Sequence, residues 1–510
     1  MTKSWKYDRA ADHIDTKLKD VETVKIVDYC RDMSLESIPP NKAYRVAGVH
    51  LYADILNLSD MLNVTAEEGI ACHRRTLRFL NLHYRAVHRI LDRCDARRVD
   101  FHNQRLHSVL TKPYNTETDA EAKRVRRAVA IAQLIIDVLK ETGDADEQIP
   151  SAKVRVGIDT GTALAVNNGR RGGREPLFLG APANHAAKMS GGGTRAGIFL
   201  TNEAREAIGL DCVEKPAATA LTTAEIKECQ EKAALDVSKN EIVDEWEEDL
   251  EKNPIGAFKF SRHTPPLRTL DITTLTPGNS RRQEAASVYA DIDGFTAYVA
   301  DHIDEAAEDV VRVFHVIRAE LDRVLTCDFE GRRIRFIGDC LHGLLCEGTV
   351  HITDDPETVS TATLCAGALR SSFELCLEKL SDEGIDTTGL GLAIGFEFGP
   401  MSVTRLGIHG DRVRCAVSRG VLASEDEQTR CSGNETAIGA SAHDVATQAV
   451  RDLFGAKRKV SGLDYNEAVE ALAEKGDATA KEYKSAAFAK AAPAIASASD
   501  RIVRPYAESK

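Results

Sequence analysis

An internal repeat constrains the fold of this chain more than any other feature. Val49-His-Leu-Tyr-Ala-Asp-Ile-Leu-Asn57 is echoed by Ser287-Val-Tyr-Ala-Asp-Ile-Asp-Gly294. Arg97-Arg-Val-Asp-Phe-His-Asn-Gln-Arg-Leu-His-Ser-Val-Leu110 aligns without a gap on Arg332-Arg-Ile-Arg-Phe-Ile-Gly-Asp-Cys-Leu-His-Gly-Leu-Leu345. Between these anchors the spacing predicts one amphipathic helix per copy. Leu77, Leu80, Tyr84, Val87 and Leu91 step by three and four in the first, and Val310, Phe314, Ile317, Leu321 and Val324 do so in the second. Further on, Val154, Val156 and Ile158 alternate before Gly161, as Leu390, Leu392, Ile394 and Phe396 do before Gly399; each predicts a strand leading into a hairpin.

A chain of 510 residues is too long for one ordinary core, whereas two domains of about 200–250 residues suit it. We therefore read an α+β fold with two like domains, 41–270 and 284–510, after a short N-terminal helical region at 1–40. The joint, 271–283, contains the turn-rich Thr276-Pro-Gly-Asn-Ser-Arg-Arg282. Residues 221–252 (charged) and 466–499 (rich in Ala and Lys, helical up to Pro493) read as solvated structural helices inserted late in each half.

The net charge of −13 excludes a global basic field for nucleic acid or an anionic membrane, with Arg170, Arg171 and Arg174 a local exception readable as a loop. No apolar run reaches the roughly 18–20 residues of a membrane span, and Met1-Thr-Lys-Ser-Trp lacks the apolar core of a signal peptide. Twelve cysteines without a Cys-x-x-Cys pair fit reduced thiols, hence a cytoplasmic location rather than a disulfide framework or zinc site.

The second copy carries the chemistry. Val288, Tyr289 and Ile292 predict a strand that delivers Asp291 beside Gly294, and Arg335-Phe-Ile-Gly-Asp339 delivers a second carboxylate beside Gly338. Paired carboxylates on neighbouring strand ends suit two hard cations, Mg²⁺ or Mn²⁺, held against a triphosphate. Asp-Ile-x-Gly-Phe followed by Phe-Ile-Gly-Asp resembles the metal motif of the class III nucleotidyl cyclases. The resemblance implies ferredoxin-like βαββαβ cores in a head-to-tail dimer, here a pseudo-heterodimer within one chain. It also implies metal binding by Asp291, Asp339 and the Ile292 carbonyl, and attack of a ribose 3′-hydroxyl on the α-phosphorus with loss of diphosphate.

The second family motif, Gly-x-x-x-Asn-x-x-x-Arg, is matched in the first copy by Gly180-Ala-Pro-Ala-Asn-His-Ala-Ala-Lys188. Pro182 suits a helix start, and Asn184 and Lys188 fall on one helical face. The resemblance implies that these two hold ribose and α-phosphate in the transition state. The first copy keeps Asp54 but has Gln104 for the second carboxylate and Asn57-Leu58 for Gly-Phe. The second copy reads Gly410-Asp-Arg-Val-Arg414-Cys-Ala-Val-Ser418 where the Asn motif is expected. The losses are complementary. One complete composite site is expected, as in pseudo-heterodimeric adenylyl cyclases with the halves reversed.

By the same resemblance, base recognition falls to Asp100 and Leu177, which replace the adenine-reading Lys/Asp pair. Tyr52 and Tyr289 flank the pocket or simply pack the sheet, while Lys259 and Arg262 are candidates for the β- and γ-phosphates. The wording of both motifs looks like the Pycsar pyrimidine nucleotide cyclases, bacterial anti-phage enzymes whose cyclic CMP or cyclic UMP acts on a separate effector protein. The expected substrate is thus a pyrimidine nucleoside triphosphate, UTP ahead of CTP, with further self-association left open. The alternatives are an adenylate or guanylate cyclase and a non-catalytic nucleotide-binding sensor. The repeated His107 and His342 read as core residues rather than metal ligands. Gly169 to Gly173 and Gly191-Gly-Gly193 do not match a phosphate-cradling loop.

Overall fold

The computed structural model describes residues 3–36, 38–167 and 176–491; the arginine cluster at 170–174, the first glycine-rich segment and the end of the second insertion lie outside them. The repeat is realised as two mixed sheets of the same topology. The first contains β1 (Lys25–Asp28), β2 (Lys42–Ile55), β3 (Arg97–His102), β4 (Arg105–Leu110), β5 (Val154–Val166), β6 (Leu177–Leu179) and β7 (Gly197–Leu200). Its order is β3-β4-β2-β5-β6, with β1 parallel to β2 and β7 parallel to β5. The second contains β8 (Phe260–Ser261), β9 (Ser280–Asp293), β10 (Arg332–Ile337), β11 (Cys340–Leu345), β12 (Gly391–Leu406), β13 (Val413–Val417), β14 (Glu435–Ile438) and β15 (Lys459–Ser461). Here β10-β11-β9-β12 repeats the order of β3-β4-β2-β5.

Each half is a βαββαβ unit. The expected amphipathic helices are Ile70–Arg93 and Ala307–Arg323, and a second helix in each half, Ala120–Leu139 or Asp355–Asp382, completes the layer behind the sheet. The halves exchange hairpins. Leu164, Val166 and Leu179 of β5 and β6 are buried in the core of the second half. Leu406, Val413, Cys415 and Val417 of β12 and β13 are buried in the core of the first. The joint is ordered too: Ile272 and Leu275 are buried between short 3₁₀ turns.

The N-terminal helix Tyr7–Asp20 packs on the second half, not on the first-half sheet that follows it. Ala10 and Ile14 enter the second core, Trp5 Nε1 donates to Ser372 Oγ at 2.7 Å, and Arg9 pairs with Glu320 at 2.6 Å. The inserted helix Lys239–Lys252 opens with a Ser238/Glu241 capping box and packs on Ile70–Arg93, where Trp246 Nε1 donates to Leu82 O at 3.0 Å. The second insertion forms Tyr465–Glu474 and Ala478–Ala491.

Two glycines set the helix that follows each exchanged hairpin. A Cβ on Gly157 would lie 2.2 Å from Ala186 O and 2.4 Å from Ser190 N; on Gly395 it would lie 2.1 Å from Gln428 N. Sheet and helix backbone therefore touch at both places. Gly157→Ala should push the helix Ala181–Gly191 off its sheet and cost about 1–3 kcal/mol, the usual scale of overpacking. A denaturant midpoint equal to that of the unsubstituted protein would contradict this packing.

Candidate active site

Asp291 stands near the end of β9. Gly294, at φ +80°, ends the strand, and a Cβ there would lie 2.3 Å from Gly389 O. The chain then turns directly into the helix Phe295–His302. In the neighbouring pair, Gly338 at φ +62° makes the β10–β11 turn and presents Asp339. Leu341 faces Ala290, so continuing the register sets Cys340 across from Asp291 and Asp339 one step beyond. The two carboxylates thus converge at one end of adjacent strands. Burial, and then Asp293, push Asp291 up to about 6. Burial, and then Asp291, hold Asp339 well above the usual carboxylate range. Among the described residues neither forms an ion pair; Gln428 Nε2 approaches Asp291 at 3.5 Å. Arg318 offsets only part of this crowding, since Asp339 stays raised despite it, and two crowded acids of this kind fit a hard divalent ion. No cluster of three or more metal-binding side chains occurs among the described residues. The pair therefore matches the Mg²⁺ habit of one or two carboxylates completed by water and substrate phosphates.

The first half supplies a control within the same molecule. Its Asp54 faces Arg105, the counterpart of Cys340. The guanidinium lies 3.9 Å from Asp54 and 2.5 Å from Glu425 of the second-half helix Arg419–Thr429. Against burial, which opposes its charge, Glu425 and Asp54 raise the Arg105 pKa. A built-in cation stands where the second half has a small neutral thiol.

Asn184 and Lys188 belong to the helix Ala181–Gly191, which Gly180 at φ +142° opens and Pro182 starts. This helix packs on Phe295–His302 of the second half, and the Asn184 amide donates to Thr296 Oγ1. Thr296 is five residues beyond Asp291. Lys188, one turn along the same helix, is exposed. The first half's Asn184 therefore meets the segment that begins with the second half's metal motif.

The second-half counterpart corrects the sequence alignment. Residues 410–418 are not the equivalent helix; 413–417 are β13, paired to β12. The equivalent helix is Arg419–Thr429, since Gly395 touches Gln428 as Gly157 touches Ser190. Leu422 and Asp426 then stand in the places of Asn184 and Lys188. The inference that this copy lacks both groups holds, on different residues.

The remaining candidates divide. The Asp100 carboxylate accepts from Arg335 Nη1 of the second half at 2.7 Å, and the same nitrogen donates to Phe101 O at 2.6 Å. Arg335 is 2% exposed, so this ion pair crosses the interface in a buried setting. Leu177 begins β6 and packs on the second-half core. Tyr52 is half-buried and stacks on His107 with ring centroids 4.0 Å apart. Tyr289, 1% exposed, stacks on His342 and shares a hydrogen bond of 3.3 Å with His102 Nε2, which makes it packing rather than a pocket wall. His107 and His342 are buried core residues, as expected. The Ile292 side chain is buried in the core beside Asp291.

Lys259 and Arg262 are not brought to the carboxylates. β8 pairs with the start of β9, and Arg262 donates to Glu284 and Thr353, each at 2.6 Å. Glu284 lies seven residues before Asp291, roughly 23 Å along an extended strand. The sequence reading missed Thr296, Arg105, Glu425 and Arg335. Arg105 and Arg335 left a signal there, as the charged residues aligned with Cys340 and with the oppositely charged Asp100.

No family model matches the chain. A uridylate cyclase of Pseudomonas aeruginosa is 66% identical over 510 residues, covering 100% of this chain and 99% of its own. A uridylate cyclase of a Rhizobium species is 40% identical over 450 residues, covering 84% and 83%. The chain belongs to the uridylate cyclase family. The crystal structure of a class III adenylyl cyclase-like ATP-binding protein from Pseudomonas aeruginosa matches at TM-score 0.92 and 67% identity, over 92% of this chain and 100% of that one. The uridylate cyclase family is thus class III nucleotidyl cyclase-like, and the likeness spans both halves.

The acid pair gives a pH expectation. Folded Asp291 keeps its proton up to about pH 6 against an ordinary value of 3.8, so the metal-free fold loses stability as pH rises through that window. Mn²⁺ held by both carboxylates must displace the Asp291 proton and the Asp339 proton, so its affinity should rise with pH through about 6 and go on rising above it, falling by about tenfold or more per unit below. Titration followed by electron paramagnetic resonance would show this. Asp291→Ala should abolish the binding and Asp54→Ala should leave it; equal loss in both would move the metal site away from the second half.

Proposed function

We propose that this protein is a uridylate cyclase, converting UTP to 3′,5′-cyclic UMP and diphosphate in a single composite site. The observation that carries the reading is the Asn184–Thr296 contact, which joins the first half's Asn/Lys helix to the segment that follows a buried, crowded carboxylate pair. The uridylate cyclases that the chain resembles, one of them over the full length, agree with it. The halves act as a head-to-tail pseudo-heterodimer, domains 41–270 and 284–510, in which Arg105 has closed the mirror-related site.

Asp291 and Asp339, with the Ile292 carbonyl, would hold two Mg²⁺ or Mn²⁺ ions. Such ions lower the pKa of the attacking 3′-hydroxyl and offset phosphate charge. The chain's own groups orient the substrate. The free N–H groups at the start of the helix Phe295–His302 face the triphosphate, as helix N-termini do for anions. Asn184 positions the ribose, and Lys188 meets the charge that grows on the α-phosphate.

Asp100 reads the base. With Arg335 beside it, its carboxylate is an acceptor, matched to the N3–H of uracil and opposed to the N3 lone pair of cytosine. The crystal relative, an ATP-binding protein, favours adenine as the second reading. Leu177 offers no acceptor to an adenine N6 amine, which places UTP first. The product fits a second messenger for a separate effector in a Pycsar-type anti-phage system. No described helix is long and apolar enough to cross a membrane.

Incubation with an equimolar mix of the four triphosphates and Mn²⁺ should give cyclic UMP as the main chromatographic product; a dominant cyclic AMP peak would overturn the substrate assignment. Asn184→Ala should lower turnover by about 10²–10³-fold with a smaller effect on nucleotide affinity, while Lys188→Arg keeps appreciable activity. Unchanged turnover in Asn184→Ala would sink the composite site.

A further inference from the structure

A cavity of about 360 Å³ opens where three parts of the chain meet. The N-terminal helix contributes His13 and Lys17, the first-half sheet and its approach contribute Pro40, Val166 and Asn167, and the rest comes from the helix Ala307–Arg323, the turn after it, and β10. Its volume lies in the range of small-ligand sites, about 300–1,000 Å³. None of Asp291, Asp339, Asn184 or Lys188 lines it. In the first half the matching helix is covered by Lys239–Lys252, with Trp246 buried against it.

The wall has two characters. Val311, Phe314 and Ala319 are apolar, whereas Lys17, Arg318, Arg323 and Arg333 are cationic, and Asp322 is the single carboxylate among the described lining residues. Acids meet part of this charge: Asp322 pairs with Arg333 at 2.7 Å, Asp20 with Lys17 at 2.6 Å, and Glu320 with His13 at 2.6 Å. The balance in the cavity stays positive. Burial, and then Lys17, push the lining His315 down to about 4, which leaves it neutral among cations.

We propose that this cavity binds a phosphorylated small molecule of mononucleotide size, outside the catalytic cleft. Phosphate meets Lys17, Arg323 and Arg333, and the planar part of the ligand lies on Val311 and Phe314. Arg318 stacks on Phe314 and Phe336 at 4.4 and 3.8 Å, and Phe336 is three residues from Asp339. An occupant that shifts this stack acts on the strand presenting a metal carboxylate. The regulatory part of the inference rests on the cyclase reading; the binding part does not.

The test is calorimetry on the full chain in EDTA, which removes the divalent ions of the catalytic cleft, with UMP, inorganic diphosphate and uridine as probes. UMP should bind at one site, diphosphate should compete, and uridine should not bind. Arg323→Ala, and independently Lys17→Glu on another element, should weaken UMP by about tenfold or more, the scale of a lost charged hydrogen bond. Lys188→Ala and Asp291→Ala should leave it unchanged. Absence of UMP binding at millimolar concentration, or binding lost in Lys188→Ala yet kept in Arg323→Ala, overturns the proposal. Turnover of UTP is read separately with Mn²⁺, so failure of the cavity and failure of the cyclase assignment give different results.

Discussion

The exchange of hairpins between the halves is the constraint on which everything else rests. Leu164, Val166 and Leu179 complete the second core, and Leu406, Val413 and Val417 complete the first. Each such side chain contributes about 1.5–3 kcal/mol by leaving water, so neither half buries its core fully alone. The helix Ala181–Gly191 follows β6 after one residue. Where β6 sits therefore decides where Asn184 points, and the swap delivers it to Thr296. The Asn184–Thr296 contact between the halves is a by-product of hydrophobic completion.

The electrostatics then divide two nearly equivalent sites. At each, a buried carboxylate at the end of a long strand needs a positive partner. Arg105 approaches Asp54, although burial still pushes that carboxyl up to about 6, and it bonds Glu425 from the opposite half. At Asp291 the corresponding Cys340 brings no charge, and Asp291 and Asp339 both stay raised. Gln104 in place of Asp339 and Arg105 in place of Cys340 separate the two sites. Arg335 and Asp100, which also occupy matching places in the repeat, tie the halves a second time.

Much of this was legible in the sequence. The gapless repeat matched the segments 97–110 and 332–345 residue for residue, whereas the hairpins read at Gly161 and Gly399 come later, because β5 runs on to Val166 and β12 to Leu406. The repeat also placed Asp291 and Asp339 at strand ends, where Gly294 and Gly338 permit positive φ. The counterpart of the Asn helix was less legible. Residues 410–418 match Gly180-x-x-x-Asn only through a shared first glycine, and the pairing of β13 with β12 takes them into a strand. Proximity along the chain likewise misdirected Lys259 and Arg262: they precede the metal motif in sequence, but β8 joins the far end of β9.

Residue identity and spacing by themselves determined the two-fold duplication, the α+β class, the carboxylate pair and the complementary losses, since each depends on side-chain chemistry within a few residues. Tertiary structure alone decided which half the N-terminal helix covers, that Tyr289 is core while Tyr52 is half-buried, and that Arg105 finds Glu425 some 320 residues away. Those outcomes depend on burial and on long-range charge pairing, which arise only when distant segments share one packed interior.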